Sequence, residues 1–331
     1  MREDARSVRL ALGGAQFGLD YGVVNHAGKP SAAQVFEILR WAVGKGVSIV
    51  DTARAYGDSE LVIGDALNSL GLVEKVSIVT KLDPLSYLGD GTCPDDELCV
   101  VVDRSIQKSM AALRLSRLET LMLHRWEHRH WNRGALWRHL LHWRGNGGID
   151  RLGASVSSPA EALEALADED VGALQLPFNL LDQRWLSPEF QSARMARRDV
   201  VVYARSAYLQ GLLIASHDAW PNLRGVDASG IVAQVERLAV SFNRSGKDDL
   251  ALAFVRAQGW LDVVVVGAES LDQVIRNVNL MHGKPLEVLE CEEVLRCFAG
   301  MSEELINPAL WPLPSRKLTW IRNEIARTKF D

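Results

Sequence analysis

Short apolar runs alternate with longer stretches of helical period along almost the whole chain. The apolar runs fall at 10–14, 47–51, 76–81, 120–124, 151–155, 173–176, 200–205 and 263–267. The run Val-Val-Val-Val at 263–266 has no period-two alternation, as expected of a strand covered on both faces. Between the runs, segments at 32–43, 59–70, 96–115, 134–144, 159–166, 188–197 and 249–258 carry an apolar helical stripe, and another follows at 271–281. Strands alternating with helices predict parallel βαβ units. Eight such units favour a closed (β/α)8 TIM barrel over an open doubly wound sheet. No low-complexity linker breaks the pattern, so residues 1–331 read as one barrel domain.

Two connections are long: one after Lys81, the other from Arg205 to about Asp249, with its own helix near 231–242. Long loops in a compact domain usually carry function. Past the eighth helix come a short helix at 291–301 and a tail rich in Pro and Trp. The tail, from about 290 to 331, is expected to close the substrate site from the active-site face.

Composition narrows the class. A hydrophobic share of 47% and a charged share of 24% suit a soluble globular protein. A formal net charge of −5 gives no electrostatic case for nucleic acid or an anionic membrane. No apolar run approaches the roughly 18 residues of a membrane span, and no apolar stretch follows the first residues as in a secretory signal. A cytoplasmic protein is expected. Cys93, Cys99, Cys291 and Cys297 form no Cys-x-x-Cys pair and read as reduced thiols. The histidine-dense stretch 124–130, with His139 and His142, lacks His-Glu-x-x-His and presents no single helical face, so no metal site is expected.

Four side chains stand at or just past strand ends: Asp51, Tyr56, Lys81 and His124. Each alone has an ordinary explanation, since Asp often caps a helix, a strand-end Lys is usually solvated, and Tyr before Gly packs a turn. Together they are what carbonyl reduction needs. Hydride addition puts negative charge on the carbonyl oxygen, and an acid must protonate it. Free Tyr titrates near 10, so an ammonium is needed to favour its phenolate. A carboxylate keeps that ammonium charged and oriented, and an imidazole orients the carbonyl. In a (β/α)8 barrel the chemistry sits at these strand ends.

Asp-Thr-Ala-x-x-Tyr-Gly-x-Ser-Glu, residues 51–60, resembles the signature of the aldo-keto reductase superfamily. The resemblance continues through Leu12–Gly18, Val79–Lys81, Leu123–Trp126, Gly148–Ser155, Leu174–Asn179, Tyr203–Leu213 and Val266–Asn277. It implies an NAD(P)H-dependent reductase of aldehydes or ketones, or the reverse oxidation, with NADPH or NADH as cofactor and a small carbonyl compound as partner. By resemblance Tyr56 is the general acid, Lys81 lowers its pKa, Asp51 pairs with Lys81, and His124 orients the substrate. Ser155 and Gln175 would bind the nicotinamide amide. Ser206, Leu209 and Gly211 would line the diphosphate. Gly13, Gly14, Ala15, Asp51, Arg205, Gly267, Ala268, Glu269, Gln273 and Asn277 complete the expected cofactor contacts. Gln16, Tyr21, Trp126 and Trp311 are expected to shape the substrate pocket, with Trp320 packing the tail. Residues 15–25 resemble a bacterial branch linked to sugar or secondary-metabolite chemistry, where Gln16, Asp20 and Asn25 would bond a polyhydroxyl substrate.

The chain departs from the family at three places. Val156 stands where Asn usually follows the cofactor serine. Arg205 stands where an aromatic ring commonly stacks on the nicotinamide, and its charge should favour the reduced cofactor. Glu269 stands where NADPH users carry Lys or Arg, while helical phase turns Arg276 away, so NADH and NADPH both stay open. A redox-silent regulatory or binding barrel, and a lyase or epimerase on the same four residues, are the alternative readings.

Overall fold

The computed structural model describes residues 7–25, 27–88 and 93–312. The strands are β1 (Arg9–Gly13), β2 (Ile49–Asp51), β3 (Ser77–Lys81), β4 (Leu118–Leu123), β5 (Ile149–Ser155), β6 (Ala173–Pro177), β7 (Val201–Arg205) and β8 (Val263–Gly267). Each pairs in parallel with its sequence neighbour, and β8 pairs with β1 to close the barrel. The helices are α1 (Ala15–Gly18), α2 (Ala32–Gly44), α3 (Ser59–Leu70), α4 (Asp95–Leu113), α5 (Trp131–Gly145) and α6 (Pro159–Ala167). They continue as α7 (Pro188–Ala196), α8 (Ala228–Ser241), α9 (Lys247–Arg256), α10 (Leu271–Met281), α11 (Val288–Cys297) and α12 (Glu303–Ile306). All eight expected strands are present. Helix α5 runs regularly only past Gly134, because Asn132, Arg133 and Gly134 have positive φ. The one-turn helix α1 carries no periodic signal, and the apolar pattern does not predict it.

The sequence starts its helices with local chemistry. Ser31 with Gln34, and Ser158 with Glu161, form reciprocal capping boxes at α2 and α6, each contributing about 1 kcal/mol. Pro159 sits in the first turn of α6, where its missing N–H costs nothing.

Two cores result. Ala11, Ile49, Val79, Met122, Ala173, Tyr203, Val263 and Val265 fill the barrel interior. A larger cluster lies between the strands and the outer helices. Side chains alternate along a strand, so the next inward position lies two residues above the interior layer. Those positions are Gly13, Asp51, Lys81, His124, Gln175, Arg205 and Gly267, with Ser155 in register beside Gln175. The pleat therefore gathers the candidate residues from eight strands into one ring. Gly13 and Gly267 are neighbours in register across the β1–β8 seam, and the Gln16 amide lies in the space that a Cβ on Gly267 would need.

Candidate active site

The barrel tops are tied to α3 by buried hydrogen bonds. The Ser59 hydroxyl donates to the Gly14 carbonyl at 2.7 Å and lies 2.9 Å from the Thr52 hydroxyl. The Thr80 hydroxyl donates to the Glu60 carboxylate at 2.6 Å, and Arg54 pairs with the same carboxylate. Tyr56 is set by a close backbone approach. A Cβ on Gly18 would lie 1.7 Å from the Tyr56 carbonyl, and Gly57 adopts φ +56 against the Gly18 carbonyl. Only glycines let these segments meet.

At the floor lies a buried ion pair. The Lys81 ammonium donates to Asp51 Oδ1 at 2.9 Å, to Asp51 Oδ2 at 2.8 Å and to the Thr52 carbonyl at 3.0 Å. Gln175 Nε2 donates to Asp51 Oδ2 at 2.7 Å, which leaves the Gln175 carbonyl oxygen as a bare acceptor. Burial pulls the Lys81 pKa down, and Asp51 opposes that pull.

Above the pair sit two phenols and an imidazole. The Lys81 ammonium is 5.2 Å from the centre of the Tyr56 ring. His124 meets Tyr56 edge-on, with ring centres 5.8 Å apart. Burial and Asp51 hold the Tyr56 hydroxyl well above its ordinary pKa, while Arg205 pulls it down. Burial chiefly pushes Tyr21 up to about 12, with a further push from Tyr56. Burial, Lys81 and Arg205 lower His124 to about 3, so it is neutral at physiological pH. Its Nδ1 is buried without a hydrogen-bond partner. A bare lone pair there costs less than a stranded N–H, so the proton belongs on Nε2.

One cleft runs from this end outward over the glycine seam. Its walls include Gly13, Ala15, Gln16, Tyr21, Asp51, Tyr56, Gln175, Arg205, Ser206 and Gly211, and then Gly267, Glu269, Gln273 and Asn277. Lys81 lies beneath the floor, 1% exposed. Ser155 stands beside Gln175 in register. Leu209 and Ala268 are buried supports behind the walls. Gly14 donates its N–H to the Asp51 carbonyl at 2.7 Å.

The segment after β7 has an unusual backbone. Ser206, Leu209, Gln210 and Gly211 have φ of +61, +48, +54 and +94. Such angles are disfavoured for three of these four residues and persist only where surroundings enforce them. Here Asn179 donates to the Ser206 carbonyl at 3.2 Å, and Lys247 donates to the Ala215 carbonyl at 2.8 Å.

Several sequence expectations are corrected. Trp126 is 3% exposed, meets Trp137 edge-on, and donates its indole N–H to Glu164, so it packs under the outer helices and not in the cleft. Trp311 is 6% exposed and donates to the Leu305 carbonyl. The described part of the tail, to residue 312, adds no wall to this cleft and is bonded to the segment after β6 and to α8: Gln183 donates to the Leu295 carbonyl, and Arg237 of α8 pairs with Glu293. Trp320 lies outside the described residues. Asn25 is engaged with Tyr21 and Gly28 backbone, holding its own turn. Arg276 does not face away; it lines the cleft and pairs with Asp248, another wall residue. Neither Asp248 nor Tyr208, whose hydroxyl donates to Asn277 at 2.9 Å, carries a motif that marks it.

The histidine-dense region is dispersed. His130 pairs with Glu164, His139 pairs with Asp103, and His128 is buried. Among the described residues no group of three His, Cys, Asp or Glu side chains is placed to hold a metal, and no helix is long and apolar enough to cross a membrane. All four cysteines are free.

The sequence pattern of the Aldo/keto reductase family matches residues 9–296. The chain belongs to the aldo/keto reductase family. Its members are NAD(P)H-dependent oxidoreductases acting on small carbonyl compounds, and this aldo/keto reductase is an enzyme of that kind. Solved structures share the fold. A Bacillus halodurans aldo-keto reductase in its holo form superposes with a TM-score of 0.68 at 19% identity, over 89% of this chain and 94% of that one. The glycerol dehydrogenase of Gluconobacter oxydans gives 0.67 at 19% identity, over 95% of this chain and 99% of that one.

Proposed function

We propose that this aldo/keto reductase reduces an aldehyde or ketone at the Tyr56 end of the cleft, with residues 1–331 acting as one barrel unit in the cytoplasm. The observation that carries the reading is the buried Asp51–Lys81 pair beneath a Tyr56 whose hydroxyl makes no hydrogen bond among the described residues. The residues present fit a nicotinamide dinucleotide. The Gln175 carbonyl oxygen can accept a carboxamide N–H, and Ser155 stands beside it. The glycine seam and the left-handed segment 206–211 leave an open path outward. When bound, the dinucleotide supplies the hydride.

The chain's own groups manage the carbonyl oxygen. His124 Nε2–H donates a hydrogen bond to it and polarises the carbonyl. Tyr56 gives its proton to the same oxygen as charge develops there. The resulting phenolate is stabilised by Lys81 below and Arg205 beside it, although Asp51 offsets much of the Lys81 charge. Tyr56 and Tyr21 are partly buried and line this end of the cleft, so a substrate seated there displaces water and strengthens each of these interactions.

The far end supports NADH over NADPH. Two carboxylates, Asp248 and Glu269, line it together with one cation, Arg276. Asp248 already engages that guanidinium. Gln273 Nε2 donates to Glu269 Oε2 at 2.9 Å, which leaves the other oxygen to accept from ribose hydroxyls. A 2′-phosphate would meet uncompensated negative charge. Titration with NADH and NADPH, followed by tryptophan quenching, tests this. NADH should bind at least about tenfold tighter, a difference of roughly 1.4 kcal/mol, and Glu269→Lys should reverse the order. Tighter NADPH binding by the native protein would refute the preference. No binding of either would refute the reductase reading.

A further inference from the structure

The hydride-transfer end carries an unbalanced charge. Of the inward ring positions at the strand tops, Asp51 and Lys81 cancel as an ion pair, and His124 is neutral at physiological pH. Arg205 remains. Among the described residues it has no carboxylate partner, and its one side-chain hydrogen bond is a long one, NH2 to the Val156 carbonyl at 3.3 Å. Its backbone is fixed on both sides. Phe178 N–H donates to the Arg205 carbonyl at 2.9 Å, and Asn179 holds the left-handed Ser206 that follows. The guanidinium lines the same cleft as Tyr56 and Gln175. A partly buried cation is costly when unpaired, and among the described residues no ion pair offsets it.

Resting on the function proposed above, the geometry points to Arg205 as a charge filter for the redox state of the cofactor. It favours loading of the neutral reduced nicotinamide and release of the cationic oxidised one. The placement follows from chemistry. Tyr56 must reach the carbonyl oxygen while the hydride donor lies about 3–3.5 Å from the carbonyl carbon. The nicotinamide ring therefore occupies the end of the cleft that Arg205 lines. In reduction, a proton and two electrons would leave the bound ring together as hydride for the carbonyl carbon, and the Tyr56 proton goes to the oxygen. The ring is left with one positive charge, and the phenolate regains its proton from solvent. A fixed guanidinium beside the ring opposes that new charge. The Arg205 effect on Tyr56 has the opposite sign for the chemical step, since a cation beside the phenol stabilises the phenolate left behind and offsets part of that repulsion.

The test compares binding of the two redox forms. Native protein, Arg205→Met and Arg205→Gln are titrated with NADH and NAD+, and again with NADPH and NADP+, following tryptophan quenching. Native protein should bind the reduced form at least about tenfold tighter, a gap that repulsion between two nearby like charges readily supplies. In both variants the ratio should fall to within about threefold, mainly because the oxidised form binds more tightly. An unchanged ratio overturns the inference. So does equal weakening of both forms, which would place Arg205 on the cofactor diphosphate. Failure of the native protein to bind any of the four refutes the reductase reading and this inference with it. Normal binding with equal affinities refutes the inference alone.

Discussion

The Lys81 ammonium donates to both carboxylate oxygens of Asp51, at 2.9 and 2.8 Å, and its third N–H is taken by the Thr52 carbonyl. No donor is left on Lys81 for another acceptor. Its influence on Tyr56 is therefore that of a nearby, largely neutralised charge.

Removing one member of this pair strands the other. Lys81 is 1% exposed and Asp51 4%. Lys81→Met should cost about 3–5 kcal/mol of stability, because an uncompensated carboxylate stays buried. The double variant Asp51→Leu with Lys81→Met should recover most of that loss. Urea unfolding of the three proteins measures it. Equal losses in the single and double variants would show that the pair matters for shape and not for charge.

Tyr56→Phe keeps the ring that meets His124 edge-on and removes only the hydroxyl. Turnover should fall by about 10²–10⁴-fold, the usual contribution of a positioned acid. Affinity for the dinucleotide should stay within about twofold, because no cofactor contact is lost. Near-native kcat in a carbonyl reduction assay would remove Tyr56 from the acid role.

His124 makes stability depend on pH. Its folded pKa is about 3, below the ordinary value of 6.5. Between those values the unfolded chain binds the proton and the folded protein does not, so stability rises with pH across this window. The contribution is complete above about 6.5 and declines as pH falls toward 3. His128, lowered to about 4, adds the same sign. Moving from pH 7 to pH 5 should cost native protein on the order of 2 kcal/mol more than it costs His124→Gln. Parallel losses in denaturant midpoints would refute it. By the same shift, His124 should contribute no limb to the activity profile near pH 6.

Gly211 is held at φ +94, where a Cβ would lie 2.1 Å from Val24 Cγ2. Gly211→Ala should cost roughly 1–3 kcal/mol. It should also weaken dinucleotide binding, because Val24 and Gly211 both line the cleft. A thermal melt and a titration read the two effects. Native values in both would mean that the 21–25 turn yields freely.

Strand ends were legible in the sequence because an apolar run stops where the barrel meets water, and period two then fixes which residue points inward. That logic finds Asp51, Lys81, His124, Gln175 and Arg205 without a coordinate. It fails for side chains on loops and helices, whose direction is set by tertiary packing. Trp126 follows His124 by only two residues, yet its indole turns to Glu164 and Trp137. Arg276 reaches the cleft because Asp248, 28 residues earlier, draws its guanidinium across. The expectation that Lys81 lowers the Tyr56 pKa also needed three dimensions. Asp51 raises that pKa and Arg205 lowers it, and neither effect can be weighed before the distances are known.

The pairing of β8 with β1 has a consequence for aggregation. Among the described residues the closed ring leaves no strand edge unpaired, so its strands offer a second chain nothing to extend. The four consecutive valines of β8 are the kind of segment that stacks into fibrils when released, and here they are buried on both faces and bonded along both sides. Fibril formation by this chain would report rupture of a barrel seam, well before the outer helices need to melt.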